Sequence, residues 1–166
     1  MPAIIFIPLV ICALLLFNHL INKQKRKNYD KLFDTLGSRI HIHLQNVKAE
    51  TSSIGAKNGG YHFFRAELII TEDALIIFGR GSILGLRQLT DPLILTKNPD
   101  YRYFSFAKFI QPVRLELNSF QEDIHIGFVQ PGIIDTEVDF QFKDVSDEVK
   151  QHLLFLNALK TVRKHA

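Results

Sequence analysis

The chain has no Trp, one Met and one Cys, and no charged side chain before Lys23. Each absence excludes something. The single Cys12 lies in the apolar N-terminal stretch, so the rest of the chain has no thiol for a disulfide or a cysteine zinc site. Without positive charge ahead of the apolar run, and with no A-x-A-like site before Lys23, a cleaved signal peptide is disfavoured. A lipid-modified Cys12 is disfavoured too. Ile11 stands where a small residue is needed, and Ala13 to Phe17 carry the apolar run onward.

What the N-terminus does have is length and an abrupt end. Residues 2–21 form an uncharged, mostly apolar run, and about 20 such residues cross a bilayer core of roughly 30 Å. Pro8 is tolerated in a membrane helix, where neighbouring groups re-satisfy the freed carbonyl. Asn22-Lys23-Gln24-Lys25-Arg26-Lys27 follows at once. Positive flanks stay cytoplasmic. Residues 1–22 are therefore expected to be a single transmembrane helix of the cell membrane, with the N-terminus outside and the C-terminal domain in the cytoplasm.

Charge is unevenly placed. The formal net charge is +3, yet Lys23, Lys25, Arg26 and Lys27 alone bring four positive charges, leaving the remainder slightly acidic. That balance excludes a nucleic-acid-binding surface and points to a juxtamembrane patch. These four cations are the membrane-surface candidates, each worth about 1 kcal/mol near anionic lipid. Their plainer purpose is to set topology. Residues 28–166, about 140 positions, have the size of one domain, and most of the fourteen Phe lie there to supply a core.

Beyond the basic stretch, Tyr29, Leu32, Phe33 and Leu36 recur at helical spacing and Gly37 follows, predicting a short amphipathic helix. Residues 23–38 are thus expected to be a basic linker plus this helix. Alternation then marks strands. Ile40, Ile42 and Leu44 oppose His41, His43 and Gln45, and residues 48–60 read as a polar connection. Residues 61–70 and 75–79 flank Thr71-Glu72-Asp73-Ala74 as a hairpin. Further strands fall at 92–96, 113–118, 124–128 and 138–142, while 101–109 is aromatic-rich and reads as a strand or a packed loop. Ser146-Asp147-Glu148 caps a C-terminal amphipathic helix carrying Val149, Leu153, Leu156 and Leu159, with Lys160, Arg163 and Lys164 at its end.

The order of elements, together with the paired stretch from Phe64 to Phe78, resembles the pleckstrin-homology-like (PH-like, GRAM-like) superfamily. The resemblance covers about residues 39–162. It implies a mainly β fold: a PH-like open barrel of about seven antiparallel strands capped by a C-terminal helix, preceded by the transmembrane helix. It places the PH-like β domain at 39–166. The superfamily's phosphoinositide use needs cations between the first two strands. Lys48 and Lys57 are offset there by Glu50, and the alternative turn at 71–74 is acidic, so neither makes a phosphate cradle.

No constellation of residues argues for catalysis or a cofactor. His41 and His43 share a strand face and His125 lies on another strand, but no carboxylate at ligand spacing joins them, so solvated strand histidines are the simpler reading. Gly79-Arg80-Gly81-Ser82 leads into no capped helix, as a phosphate loop would, and reads as a turn. Asp135, Glu137 and Asp139 fall on one strand face, which is ordinarily the solvent face. Ile133 and Ile134 after Pro131-Gly132, with Tyr101 and Tyr103, form a candidate contact patch for a partner or the bilayer.

Three classes of function follow. The leading expectation is a scaffolding or protein-binding module at the cytoplasmic membrane face, with an unknown protein partner, no cofactor and no metal. The alternative is a domain that engages anionic lipid through the basic patch. An enzyme with an unrecognised site comes third.

Overall fold

A computed structural model describes residues 3–55, 61–83, 85–118, 123–132 and 134–159. The chain opens with α1 (Ala3–Leu36), one unbroken helix of 34 residues that includes Pro8. At about 1.5 Å per residue it is roughly 50 Å long. It is long and apolar enough to cross a membrane, and its most apolar window has no buried residue. The amphipathic stretch at 29–36 continues the apolar run as one helix rather than kinking away from it. Lys23 to Lys27 lie inside α1, because Lys, Arg and Gln are good helix formers and no Gly or Pro interrupts residues 9–36. A 3₁₀ turn over Gly37–Arg39 ends it, with Gly37 at φ +46°.

Among the described residues nine strands follow rather than about seven: β1 (Ile42–Ile54), β2 (Arg65–Ile70), β3 (Ala74–Ile83), β4 (Leu86–Leu89), β5 (Leu93–Thr96), β6 (Lys108–Phe109), β7 (Arg114–Glu116), β8 (Ile124–Gln130) and β9 (Thr136–Phe142). They join in the order β6-β5-β3-β2-β1-β9-β8-β7, with β4 added beside β3, as a curled, half-open barrel. The two strands beyond expectation are β4 and the two-residue β6, which pairs parallel to β5. The rest of 101–109 is a packed loop with a 3₁₀ turn over Pro99–Tyr103.

The long strand β1 holds the two halves together. Residues 42–48 pair with β2, and residues 49–54 pair with β9. A register shift between Leu44 and Val47, with Asn46 at φ +61°, bends the strand from one half to the other. Residues 48–54, expected as connection, are therefore strand. The ladder to Phe142 and Gln141 supplies hydrogen-bond partners that their polar sequence does not advertise.

The first half of the sheet is buried on both faces. Ala66, Leu68, Ile70, Leu75, Ile77, Leu93 and Leu95 point into the main core. They meet Ile124, Ile126 and Phe128 of β8 and Val138, Phe140 and Phe142 of β9 there. The intervening Ile69, Ile76, Phe78 and Ile94 face a second cluster formed with Leu32 and Leu36 of α1, Tyr101 and Phe104. Fully burying a leucine contributes about 1.5–3 kcal/mol, so the last two turns of α1 are a structural layer of the domain.

The C-terminal segment covers the main core as its pattern implies. Val145, Val149, Leu153 and Leu156 are buried in it. Its form differs from one long helix: α2 (Asp147–His152) is followed by a 3₁₀ stretch over Leu154–Leu159. Lys160, Arg163 and Lys164 lie outside the described residues.

Candidate functional site

Among the described residues, an extended polar arrangement lies at the junction between α1 and the free edge of β4. Asn22 Oδ1 accepts from the Leu89 amide at 2.9 Å, and Asn22 Nδ2 donates to the Arg87 carbonyl at 2.8 Å. Two groups two residues apart on one strand edge are those a neighbouring strand would engage. One turn earlier, Asn18 Nδ2 also reaches the Arg87 carbonyl, at 3.4 Å. One turn later, Lys25 Nζ donates to the Leu89 carbonyl at 2.9 Å and lies 3.4 Å from Asp91. Tyr29 donates its hydroxyl to the Thr90 carbonyl at 2.8 Å, and its ring sits 4.0 Å from that of Phe78. Burial raises the Tyr29 phenol well above its ordinary range, against the opposing hydrogen bond to Thr90, so it stays a donor.

Residues 18, 22, 25, 29, 32 and 36 form a single stripe along α1, spaced alternately four and three apart. Its far end buries leucine and its near end hydrogen-bonds a strand edge. A free strand edge is a liability, and covering it with a helix is one way proteins manage it. Here the cover is part of the same helix that carries the apolar N-terminal stretch.

The four basic candidates part company at this junction. Lys23, Arg26 and Lys27 are exposed, whereas Lys25 is tied to Leu89 and Asp91 with its side chain 21% exposed. The candidate patch also divides. Tyr101 is 1% exposed: its hydroxyl donates to Asp73 Oδ1 at 2.9 Å and lies 2.9 Å from Thr71 Oγ1. Tyr103 is 83% exposed on the β5–β6 connection, and Ile134 is 62% exposed on the β8–β9 connection. Ile133 lies outside the described residues.

Tyr101 belongs to a polar knot around the 71–74 turn. Asn98 Nδ2 donates to Asp73 Oδ2 at 2.6 Å, and Thr96 Oγ1 donates to the Asp73 carbonyl at 2.8 Å. Burial alone would raise the Asp73 carboxyl. The hydrogen bonds from Asn98, Tyr101 and Thr71 outweigh it and hold the group below the usual carboxylate range. The knot ties the β2–β3 turn to the loop after β5.

The histidines are used separately. His43 Nε2 lies 2.8 Å from Glu67 Oε1 and its ring is tilted 58° against that of Phe33, while His125 Nδ1 lies 3.5 Å from Asp139 on the other half of the sheet. Among the described residues no group of three His, Cys, Asp or Glu is placed to hold a metal. A shallow groove of about 450 Å³ on the second half is lined by Ser52, Arg114, Gly127, Glu137 and Asp139 among others. Its Arg114 is paired with Glu116 at 3.0 Å.

Asn18, Asn22 and Tyr29 were not among the sequence candidates. Their signal is the stripe itself: stepping back from Leu36 and Leu32 by alternate fours and threes lands on Tyr29, Lys25, Asn22 and Asn18.

Compared with known proteins, the chain matches no family model, no curated protein and no solved structure.

Proposed function

We propose that this chain is a single-pass, membrane-anchored PH-like domain that binds or scaffolds a protein partner at the cytoplasmic membrane face. One observation carries the reading. The same helix is apolar and uncovered over residues 7–17 and is built into the domain by Leu32 and Leu36. An apolar helical surface of that length needs lipid or protein around it. Confinement beside the bilayer raises the effective concentration of the domain for membrane-localised partners without a strong site.

The PH-like reading is supported by strand order. Antiparallel runs β1-β2-β3-β5 and β7-β8-β9 meet where β1 pairs with β9, and the C-terminal segment packs on the core between them. The second half of the sheet has one face in the core, and its opposite face carries Arg114, Glu116, Glu137 and Ser52. That outer face is the surface offered to a partner. A second reading, engagement of anionic lipid, is favoured by the exposure of Lys23, Arg26 and Lys27 on α1.

Alkaline carbonate extraction of full-length protein made in cells tests the anchor, with retention in the membrane pellet expected. Protease treatment of intact and opened cells tests sidedness, with the domain cleaved only after opening. A photo-crosslinking residue at Ser52 in the full chain tests the partner face. A discrete adduct lost on competing substitutions at Arg114 and Glu137 supports binding there, and none in the native membrane argues against it.

A further inference from the structure

The hydrogen bonds between α1 and β4 fix a direction as well as a contact. Asn18 and Asn22 meet Arg87, Asn22 and Lys25 meet Leu89, and Tyr29 meets Thr90. The strand and the helix therefore advance together, and residues before Arg87 lie alongside helix residues before Asn22. Those helix residues are the apolar segment. The β3–β4 hairpin, paired Ile83 with Leu86 and Ser82 with Arg87, consequently points its turn at Gly85 toward the lipid end of α1.

The depth follows from two rises. Asn18 precedes Ile21, the last apolar residue before the basic stretch, by about 4.5 Å of helix. Leu86 lies about 3.3 Å further along the strand than Arg87. With the hydrocarbon boundary near Ile21, the Arg87 carbonyl, held midway between Asn18 and Asn22, sits about 1.5 Å within it and Leu86 about 5 Å within it. This is the depth to which interfacial elements bury their apolar side chains. The chemistry of the hairpin matches. A Cβ placed at Gly85 would meet nothing within 4 Å, Leu86 is apolar and half-buried, and Arg87 is exposed with no carboxylate paired to it among the described residues. A guanidinium there reaches lipid phosphate while its stem lies along the apolar layer. Asn18, a polar side chain inside the apolar run, already has its partner in the Arg87 carbonyl.

We propose that the β3–β4 hairpin is a second, shallow membrane contact beside the anchor, with Leu86 in the acyl boundary and Arg87 on lipid phosphates. The proposal rests on the reading of α1 as a membrane span.

The test uses the full chain carrying Cys12→Ser, reconstituted in vesicles of phosphatidylcholine and phosphatidylglycerol. An environment-sensitive fluorophore is placed singly through Leu14→Cys, Ser82→Cys, Leu86→Cys or Glu72→Cys, and lipids with quencher-bearing acyl chains are introduced. Loss of emission is expected for the Leu14 label and for at least one hairpin label, with the label at the exposed Glu72, in the turn at the opposite end of β3, staying bright. A quenched Leu14 label with both hairpin labels as bright as the Glu72 label overturns the hairpin contact and leaves the anchor standing. A bright Leu14 label overturns the anchor, and the hairpin contact with it.

Discussion

Asn22 stands where a strand would stand beside Leu89. Its carboxamide accepts from the Leu89 amide at 2.9 Å and donates to the Arg87 carbonyl at 2.8 Å. Replacing Asn22 with Ala leaves the Leu89 amide without its partner and the Arg87 carbonyl with only the longer bond from Asn18, a loss of about 1–2 kcal/mol. Urea unfolding of the full chain in detergent should show it, together with faster hydrogen exchange at the Leu89 amide. Unchanged exchange at Leu89 would mean the edge is not held by this side chain.

Leu32→Ala should destabilise the domain by about 2–5 kcal/mol, because the side chain is fully buried between α1 and the sheet. Leu16→Ala, in the uncovered part of the same helix, should leave domain unfolding within about 0.5 kcal/mol. Equal effects of the two would break the division of α1 into an uncovered part and a domain-facing part.

The basic residues should separate by role. Lys25→Gln loses the bond to the Leu89 carbonyl and the Asp91 pairing, and should cost about 1 kcal/mol in a partly exposed setting. Lys23→Gln should be neutral to within about 0.5 kcal/mol. Denaturation midpoints of the two variants in one detergent make the comparison, and a neutral Lys25→Gln would return that residue to the membrane-surface group.

Asp73 supplies a pH signature. Its folded carboxyl is held below the ordinary value of about 3.9, so its stabilisation is fully present above that value. It is lost as pH falls through the lower folded value. Asp73→Asn should therefore be less stable than the parent at pH 7, and the gap should close on acidification below about pH 4. A gap that stays constant with pH would show that the carboxylate charge is not what the knot requires.

Much of this architecture is written locally. The 71–74 turn between apolar runs marks the β2–β3 hairpin, and Tyr29, Leu32 and Leu36 mark the face of α1 that packs. The runs Leu68-Ile69-Ile70, Leu75-Ile76-Ile77-Phe78 and Leu93-Ile94-Leu95 also carry a message that alternation alone obscures. A strand apolar at every position is covered on both sides. What cannot be read locally is what depends on a partner far along the chain. Lys25 looks like a solvated cation until a carbonyl 64 residues away is placed beside it. Tyr101 looks like part of an aromatic surface until Thr71 and Asp73 claim its hydroxyl. Whether α1 continues or kinks after residue 22 is likewise left open locally, since a cluster of cations marks the end of an apolar run but does nothing to end a helix.

On the proposed reading of α1 as a membrane span, the domain has no swivel. Because α1 enters the fold without a break, any tilt that a thicker or thinner bilayer imposed on the helix would swing the outer sheet face through the same angle. Local lipid composition would then set the bearing on which a neighbour must approach.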